Sequence, residues 1–347
     1  MSGMPELTPV RDHHRFDEGA LAAYMTEHMD GDFTNLEVLQ FEGGQSNPTF
    51  LIRAGGDSFV MRKKPPGTLL KSAHAVDREY RIMTALRDTG VPVPKTYALC
   101  EDESILGTAF YVMENVEGRV IIDTRLPGFA REDRAALYEH FAGVLAALHA
   151  VDYSAIGLDG FGREGNYFAR QISRWSKQYV ASQTEAIPEM DALMKWLPEN
   201  IPEVDEQSIA HGDYRMGNCV IHPTEPRVVA ILDWELSTIG HPLGDLGYCC
   251  MGYHLPQSGV DVFPEPDSGV PTEKEFLDLY CTAAGRGEIE NWNFYIAYNL
   301  FRIGAIVQGV YKRGLDGNAS SEHWRGRRDE CKRSAKRAWE LVEEIGA

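Results

Sequence analysis

The sequence has little that would tie it to a nucleic acid, a membrane or an oxidising compartment. Its 34 Lys and Arg residues are outnumbered by 52 Asp and Glu, for a formal net charge of −18 over 347 residues. Phosphate backbones are bound by clustered Lys and Arg, so this balance argues against nucleic acid and against an anionic membrane surface as partners. It leaves the charge of a small substrate open, because a local basic patch can sit on an acidic protein. No long hydrophobic run is present. The most apolar helical stretch, residues 141–151, is well short of the roughly 20 residues a bilayer requires, and it contains His149. The six cysteines (Cys100, Cys219, Cys249, Cys250, Cys281 and Cys331) are scattered. They form no CxxC pair and no zinc-ligand spacing, which points to a reduced, cytoplasmic setting. The N-terminal MSGMPELTPVRDHH has no apolar core of the kind a signal peptide needs. Low-complexity tracts and internal repeats are also missing.

What remains is a globular composition, 43% apolar and 25% charged, on a chain too long for one ordinary core and suited to two lobes. The pattern begins with a helix from Asp17, a good cap, to about Met29, with Leu21, Tyr24, Met25 and His28 on one face. Strand candidates follow at Leu36–Phe41, Thr49–Arg53 and Ser58–Lys63, separated by Gly-rich turns of the hairpin type. A helix from near Ser72 carries Val76, Tyr80, Met83 and Leu86 at helical spacing and stops at Gly90. Two more strands, Lys95–Cys100 and Ala109–Val116, complete a β-rich region of about five strands. From Arg131 the pattern is helical, with Leu137, Phe141, Val144 and Leu148 as a buried stripe. Helix and loop are expected over 166–200, short strands over 208–229, and three further helices near 272–284, 290–313 and 320–345. The composition shifts near Gly118, so the expected division is a β-rich N-lobe, 1–116, and a mainly helical C-lobe, 117–347, an α+β architecture.

The residues that carry chemistry are concentrated in HGDYRMGN (211–218) and ILDWE (231–235). Phosphoryl transfer needs an acceptor hydroxyl held in line and metal ions to neutralise developing charge. Carboxylate and amide oxygens suit Mg²⁺, and a carboxylate beside the hydroxyl can orient it and take its proton. An H-x-D-x-x-x-x-N loop supplies both from one turn: Asp213 as base and Asn218 as metal ligand. Asp233, at the end of the apolar run VVAIL, would project a second ligand to the same centre. Protein-kinase catalytic loops use this arrangement, and the roles are carried over from them.

HGDYRMGNCVI, ILDWE and GHPLGDLGY resemble the aminoglycoside phosphotransferase-like family, relatives of choline kinases and protein kinases. FEGGQSNPT and RKKPPG are similar to the branch found as the kinase domain fused to some acyl-CoA dehydrogenases. The resemblance covers about residues 35–255. It implies a two-lobed, protein-kinase-like fold, with ATP and Mg²⁺ as cofactors and a small-molecule hydroxyl as phosphoryl acceptor. FEGGQSNPTF (41–50) would then lie over the ATP phosphates: Gly43 and Gly44 allow close backbone approach, and Ser46 and Asn47 offer hydrogen bonds. The family's strand cation falls on Arg62, with Val60 on the same face toward adenine, and Glu79 would pair with Arg62. Arg in place of the usual Lys is a bulkier, bidentate group. FYVMENVEG (110–118) would be the hinge, with Met113 behind adenine and the Glu114 carbonyl and Val116 amide bonding its edge. Asp245 would brace the catalytic loop. Tyr167, Arg170, Arg174 and Arg302 are acceptor-contact candidates, and His149 is read as structural.

Two readings compete with a small-molecule kinase. One is a catalytically silent, nucleotide-binding regulatory module, against which the intact Asp213, Asn218 and Asp233 set argues. The other is a metallohydrolase built on His211, Asp213, His241 and Asp245. It ranks last, because a lone His is more often a structural hydrogen-bonder and Mg²⁺ prefers oxygen.

Overall fold

A computed structural model describes residues 6–42, 47–65, 74–163, 165–255, 262, 264–317 and 322–346. The chain is α+β and divides into two compact units that are discontinuous in sequence. Met1–Phe129, Ser154–Leu158 and Met216–Ser237 form the first; Ala130–Tyr153, Asp159–Arg215 and Thr238–Ala347 form the second. The units therefore cross the single cut expected after residue 116. The cause is backbone pairing. Arg119–Val120 pairs antiparallel with Cys219–Ile221, which pairs in turn with Val228–Ile231. This carries the 216–237 segment, with Asn218 and Asp233, into the first unit.

The first unit is built on a six-stranded antiparallel sheet. Its strands are β1 (Leu7–Pro9), β2 (Glu37–Phe41), β3 (Thr49–Ala54), β4 (Asp57–Lys63), β5 (Thr96–Cys100) and β6 (Phe110–Glu114), in the spatial order β1-β2-β3-β4-β6-β5. Five of these match the sequence pattern to within two residues at each end. The sixth, β1, has only three residues, too few to show alternation, and is held by pairing with residues 39–41. Helix α1 (Glu18–His28) starts where its cap was expected, the Asp17 side chain accepting from Ala20 N at 3.0 Å. Its Leu21 and Met25 pack with Phe33, Phe50, Phe59 and Phe110 on one face of the sheet.

Helix α2 (Val76–Leu86) buries Val76, Glu79, Ile82, Met83 and Leu86, a stripe at spacings of three and four that contains one carboxylate. A buried charge without partners costs several kcal/mol, so Glu79 in that stripe requires a cation. In the β4–β6 register Val60 faces Met113 and Arg62 faces Tyr111, so Val60 and Arg62, two apart, share one face.

The second unit is helical. Its main helices are Arg131–Ala150, Tyr167–Ser182, Pro188–Glu199, Pro242–Cys250, Glu273–Ala284, Trp292–Leu315 and Arg327–Glu343. Trp292–Leu315 is buried on nearly every side. Glu273–Ala284 begins with a capping box between Thr272 and Glu275. The short strands Ser208–Ala210 and Thr238–Gly240 pair antiparallel. That pairing places the loop after the first strand beside the helix that follows the second. No helix among the described residues is long and apolar enough to cross a membrane.

Candidate active site

In the first unit, a pocket collects seven of the residues the sequence singled out. Val60, Met113, Val116, Val220 and Leu232 supply apolar lining, and Arg62, Asn218 and Asp233 supply polar groups. Glu114 lines it as well. Gly118, which the sequence marks as the end of the hinge and the point where composition shifts, is also at the wall. A Cβ there would stand 2.4 Å from both Ile221 O and Val220 Cγ1, so only glycine lets the hinge lie against the Cys219–Ile221 strand. Gly43, Gly44 and Ser46 lie outside the described residues.

Arg62 organises the polar end. It is 8% exposed. Its Nη1 donates to Glu79 Oε2 at 2.7 Å, and Nη1 and Nη2 each donate to Asp233 Oδ1 at 3.2 Å. Burial works against this cation, but Glu79, then Tyr111 and Asp233, outweigh it and hold its pKa above the ordinary arginine value. Glu79, fully buried, also accepts from Tyr111 Oη at 3.0 Å and from Asn47 Nδ2 at 2.9 Å.

Asn47 thus departs from its expected place over the phosphates. Its side chain is buried, with Nδ2 on Glu79 and Oδ1 3.1 Å from His74 Nδ1. Both ends of the amide are held by protein groups, because α2 passes close to the start of β3. Lys63 projects to the other face of β4, its Nζ donating to Thr108 Oγ1 at 2.6 Å, so Arg62 is the strand cation of the pocket.

Asp233 follows Val228–Ile231 and occupies the left-handed region, φ 66° and ψ 59°. This conformation is uncommon outside glycine, costs on the order of 1 kcal/mol, and recurs at functional positions. Leu232 N donates to Asn218 O at 2.8 Å, which ties the two polar segments together. The buried Arg62 Nε has no hydrogen-bond partner among the described residues. An arginine with an unmatched donor suits an anionic ligand, and the amide and carboxylate oxygens of Asn218 and Asp233 suit a hard divalent cation.

Asp213 belongs to the second unit, in the loop after Ser208–Ala210. The loop's backbone is held by Asp245, whose two oxygens accept from His211 N at 2.7 Å and Gly212 N at 2.8 Å. Burial alone would raise the Asp245 carboxyl. The His149 ring and the His211 contacts instead hold it below the ordinary carboxylate value. His149 stands 2.8 Å from Tyr280 Oη and 3.5 Å from Asp245 Oδ2, in a structural position. Tyr214 stacks on Phe141, centroids 4.5 Å apart, and donates to Phe141 O at 2.8 Å.

Arg302 donates Nη2 to Gly212 O at 2.7 Å, so it supports the loop backbone. Tyr167 is buried against Gly240 and Gly244. His241 caps its helix, Nδ1 accepting from Leu243 N at 3.2 Å, while Nε2 lies 3.2 Å from Val204 O. No group of three or more His, Cys, Asp or Glu side chains among the described residues is arranged to hold a metal. This leaves the metallohydrolase reading without a ligand set there. The sequence reading missed Tyr248, whose hydroxyl donates to Asp213 Oδ1. Its only sequence signal is a position three residues after Asp245 on one helix.

The model of the "phosphotransferase enzyme family" matches residues 37–287. Acyl-CoA dehydrogenase family member 10 of Mus musculus is 46% identical over 325 residues, which cover 92% of this chain and 30% of that protein. The chain spans less than half the length of the curated relatives it matches. A crystal structure of a Ralstonia eutropha protein, provisionally named an aminoglycoside phosphotransferase, superposes with a TM-score of 0.87 at 49% identity. The match covers 95% of this chain and 99% of that one. A ternary complex of a thermostable aminoglycoside phosphotransferase APH(4)-Ia mutant with AMP-PNP and hygromycin B shares the fold. Its TM-score is 0.61 at 18% identity, over 94% of this chain and 99% of that one.

Proposed function

This chain belongs to the phosphotransferase enzyme family, and from that premise we propose that it is a Mg²⁺-dependent small-molecule kinase. It moves the γ-phosphoryl of ATP to a hydroxyl of a small acceptor. The observation that carries this reading is the pocket of the first unit, where an apolar wall of Val60, Met113 and Val116 meets Arg62, Asn218 and Asp233. An adenine ring needs the first set and a metal-bound triphosphate the second. The AMP-PNP complex of a fold relative supports ATP as the donor.

In this reading the wall seats adenine, with the Glu114 carbonyl and Val116 amide at its edge. Arg62 holds the phosphates, and its unmatched Nε gives it a donor to offer them. Asn218 and Asp233 hold Mg²⁺. When bound, the metal neutralises charge on the transferring phosphoryl group. Asp213, five residues before Asn218 in the chain, orients the acceptor hydroxyl and accepts its proton. Most of the acceleration comes from positioning and electrostatics, with general-base help contributing about 10²–10⁴-fold. The acceptor is aminoglycoside-like, or a hydroxy acid or hydroxyacyl-CoA. The last two are suggested by relatives named as acyl-CoA dehydrogenase family members. The compartment proposed is the cytoplasm.

The test is ADP release from Mg·ATP with hydroxyacyl-CoAs, aminoglycosides, choline-like alcohols and sugars as acceptors, run on the wild type, Asp213→Asn and Asp233→Asn. Asp213→Asn is expected to lose turnover by about 10²–10⁴-fold and to bind ATP as the wild type does. Asp233→Asn is expected to lose the Mg²⁺ dependence of ATP binding in calorimetry. Wild-type turnover in Asp213→Asn would sink the role given to that carboxylate. Mg²⁺-dependent ATP binding without phosphoryl transfer to any acceptor would favour a silent regulatory module.

A further inference from the structure

We propose that Tyr248 is a positioning residue for Asp213, holding the carboxylate in the orientation from which it meets the acceptor hydroxyl. The inference rests on the reading of Asp213 as the base and adds a residue to it. Tyr248 lies on Pro242–Cys250, three positions after Asp245. Residues three apart share a helix face, so both side chains turn toward the loop. Asp245 takes the N–H groups of His211 and Gly212, and the Tyr248 hydroxyl donates to Asp213 Oδ1. One helix turn therefore holds the loop's backbone and also its functional carboxylate.

Three further contacts favour a dedicated bond over a chance approach. The Arg302 guanidinium lies 5.1 Å from the centroid of the Tyr248 ring, and the same arginine donates to Gly212 O at 2.7 Å. The ring and the loop are thus braced by one cation that is itself only 6% exposed. Arg215 Nε stands 3.5 Å from the same Asp213 Oδ1. Burial and then the neighbouring Asp213 push the Tyr248 phenol well above its ordinary value, so the hydroxyl keeps its proton and remains a donor. A phenol donating to a carboxylate is a charge-assisted bond, stronger and more directional than a neutral one. A carboxylate otherwise turns easily about its last side-chain bond. With Oδ1 bound by Tyr248, that rotation is arrested before the acceptor arrives, and small misplacements of a catalytic group are costly.

Tyr248→Phe removes the hydroxyl and keeps the ring under Arg302. Turnover is read as ADP release from Mg·ATP, with water as acceptor and with the best acceptor of the screen. The expected result is a fall in kcat of about 10- to 100-fold, with the KM for ATP and ATP affinity by calorimetry at wild-type values and the thermal midpoint lowered only by the loss of this one bond. In the Asp213→Asn background the same change is expected to cost nothing further, because the bond's purpose is already gone. A Tyr248→Phe enzyme with wild-type kcat, beside an inactive Asp213→Asn, overturns the positioning role and leaves Asp213 as base. Equal, additive losses in both backgrounds overturn it too, whether or not the variant is less stable. An Asp213→Asn enzyme with wild-type turnover removes the base reading itself.

Discussion

Asp233 Oδ1 accepts from both terminal nitrogens of Arg62, 3.2 Å from each, although the two residues stand 171 positions apart in the chain. The same guanidinium also serves Glu79. One cation thus links the strand, the helix packed on it and the metal-ligand candidate. The planar fork of arginine makes this reach possible; a lysine in the same place offers a single nitrogen.

Arg62→Lys is therefore expected to keep one carboxylate contact and lose the other. Urea unfolding should show a loss of about 1–3 kcal/mol, the usual range for a buried charged hydrogen bond, and ATP titration should show weaker binding. Arg62→Ala leaves Glu79 buried without its cation and should cost more, about 3–5 kcal/mol. A lysine variant that unfolds and binds ATP as the wild type does would contradict the bridging role.

Gly118→Ala tests the wall of the pocket. Its new Cβ would approach Ile221 O and Val220 Cγ1 to 2.4 Å. The carbonyl belongs to a paired strand, so it cannot swing aside as a side-chain end would. The hinge must shift, at a cost of about 1–3 kcal/mol, as for other overpacked sites. Weaker ATP binding should accompany this in calorimetry, and retention of both stability and affinity would argue against the close approach.

His241 gives a pH dependence with a defined sign. Burial lowers its pKa below 6.5, with the Val204 carbonyl opposing. The folded state therefore prefers the neutral ring, whose Nδ1 accepts from Leu243 N. In the unfolded chain the ring protonates near its ordinary pKa of about 6.5. Between that value and the lower folded one, the unfolded state binds more protons, so stability falls as pH falls. His241→Asn keeps a capping acceptor and abolishes the titration. The wild type should lose stability relative to this variant as pH drops from about 7 to 5.5, measured by urea midpoints at each pH. Parallel midpoints over that window would refute the assignment.

Much of this molecule was legible without coordinates. Strand periodicity and Gly-rich turns located β2 to β6, and Asp17 marked the start of α1, because alternation and capping are properties of a few neighbouring residues. The family resemblance put the strand cation on Arg62, and alternation along the strand put it on the same face as Val60. Asn47 was the instructive departure. It belongs to a polar loop by sequence, yet its amide is spent on Glu79 and His74, partners on and just before a helix some thirty residues later.

The sequence by itself pointed to most of the local elements, to the family and to the candidate residues of the 211–218 loop, since all of these are written in spacings of a few positions. Tertiary structure alone decided that residues 216–237 join the first unit through pairing with Arg119–Val120. It also decided that Gly118 must have no side chain, and that Tyr248 reaches Asp213. These are meetings of side chains and backbone from distant segments. They depend on which strands pair and which helix follows them, and local patterning carries no term for that.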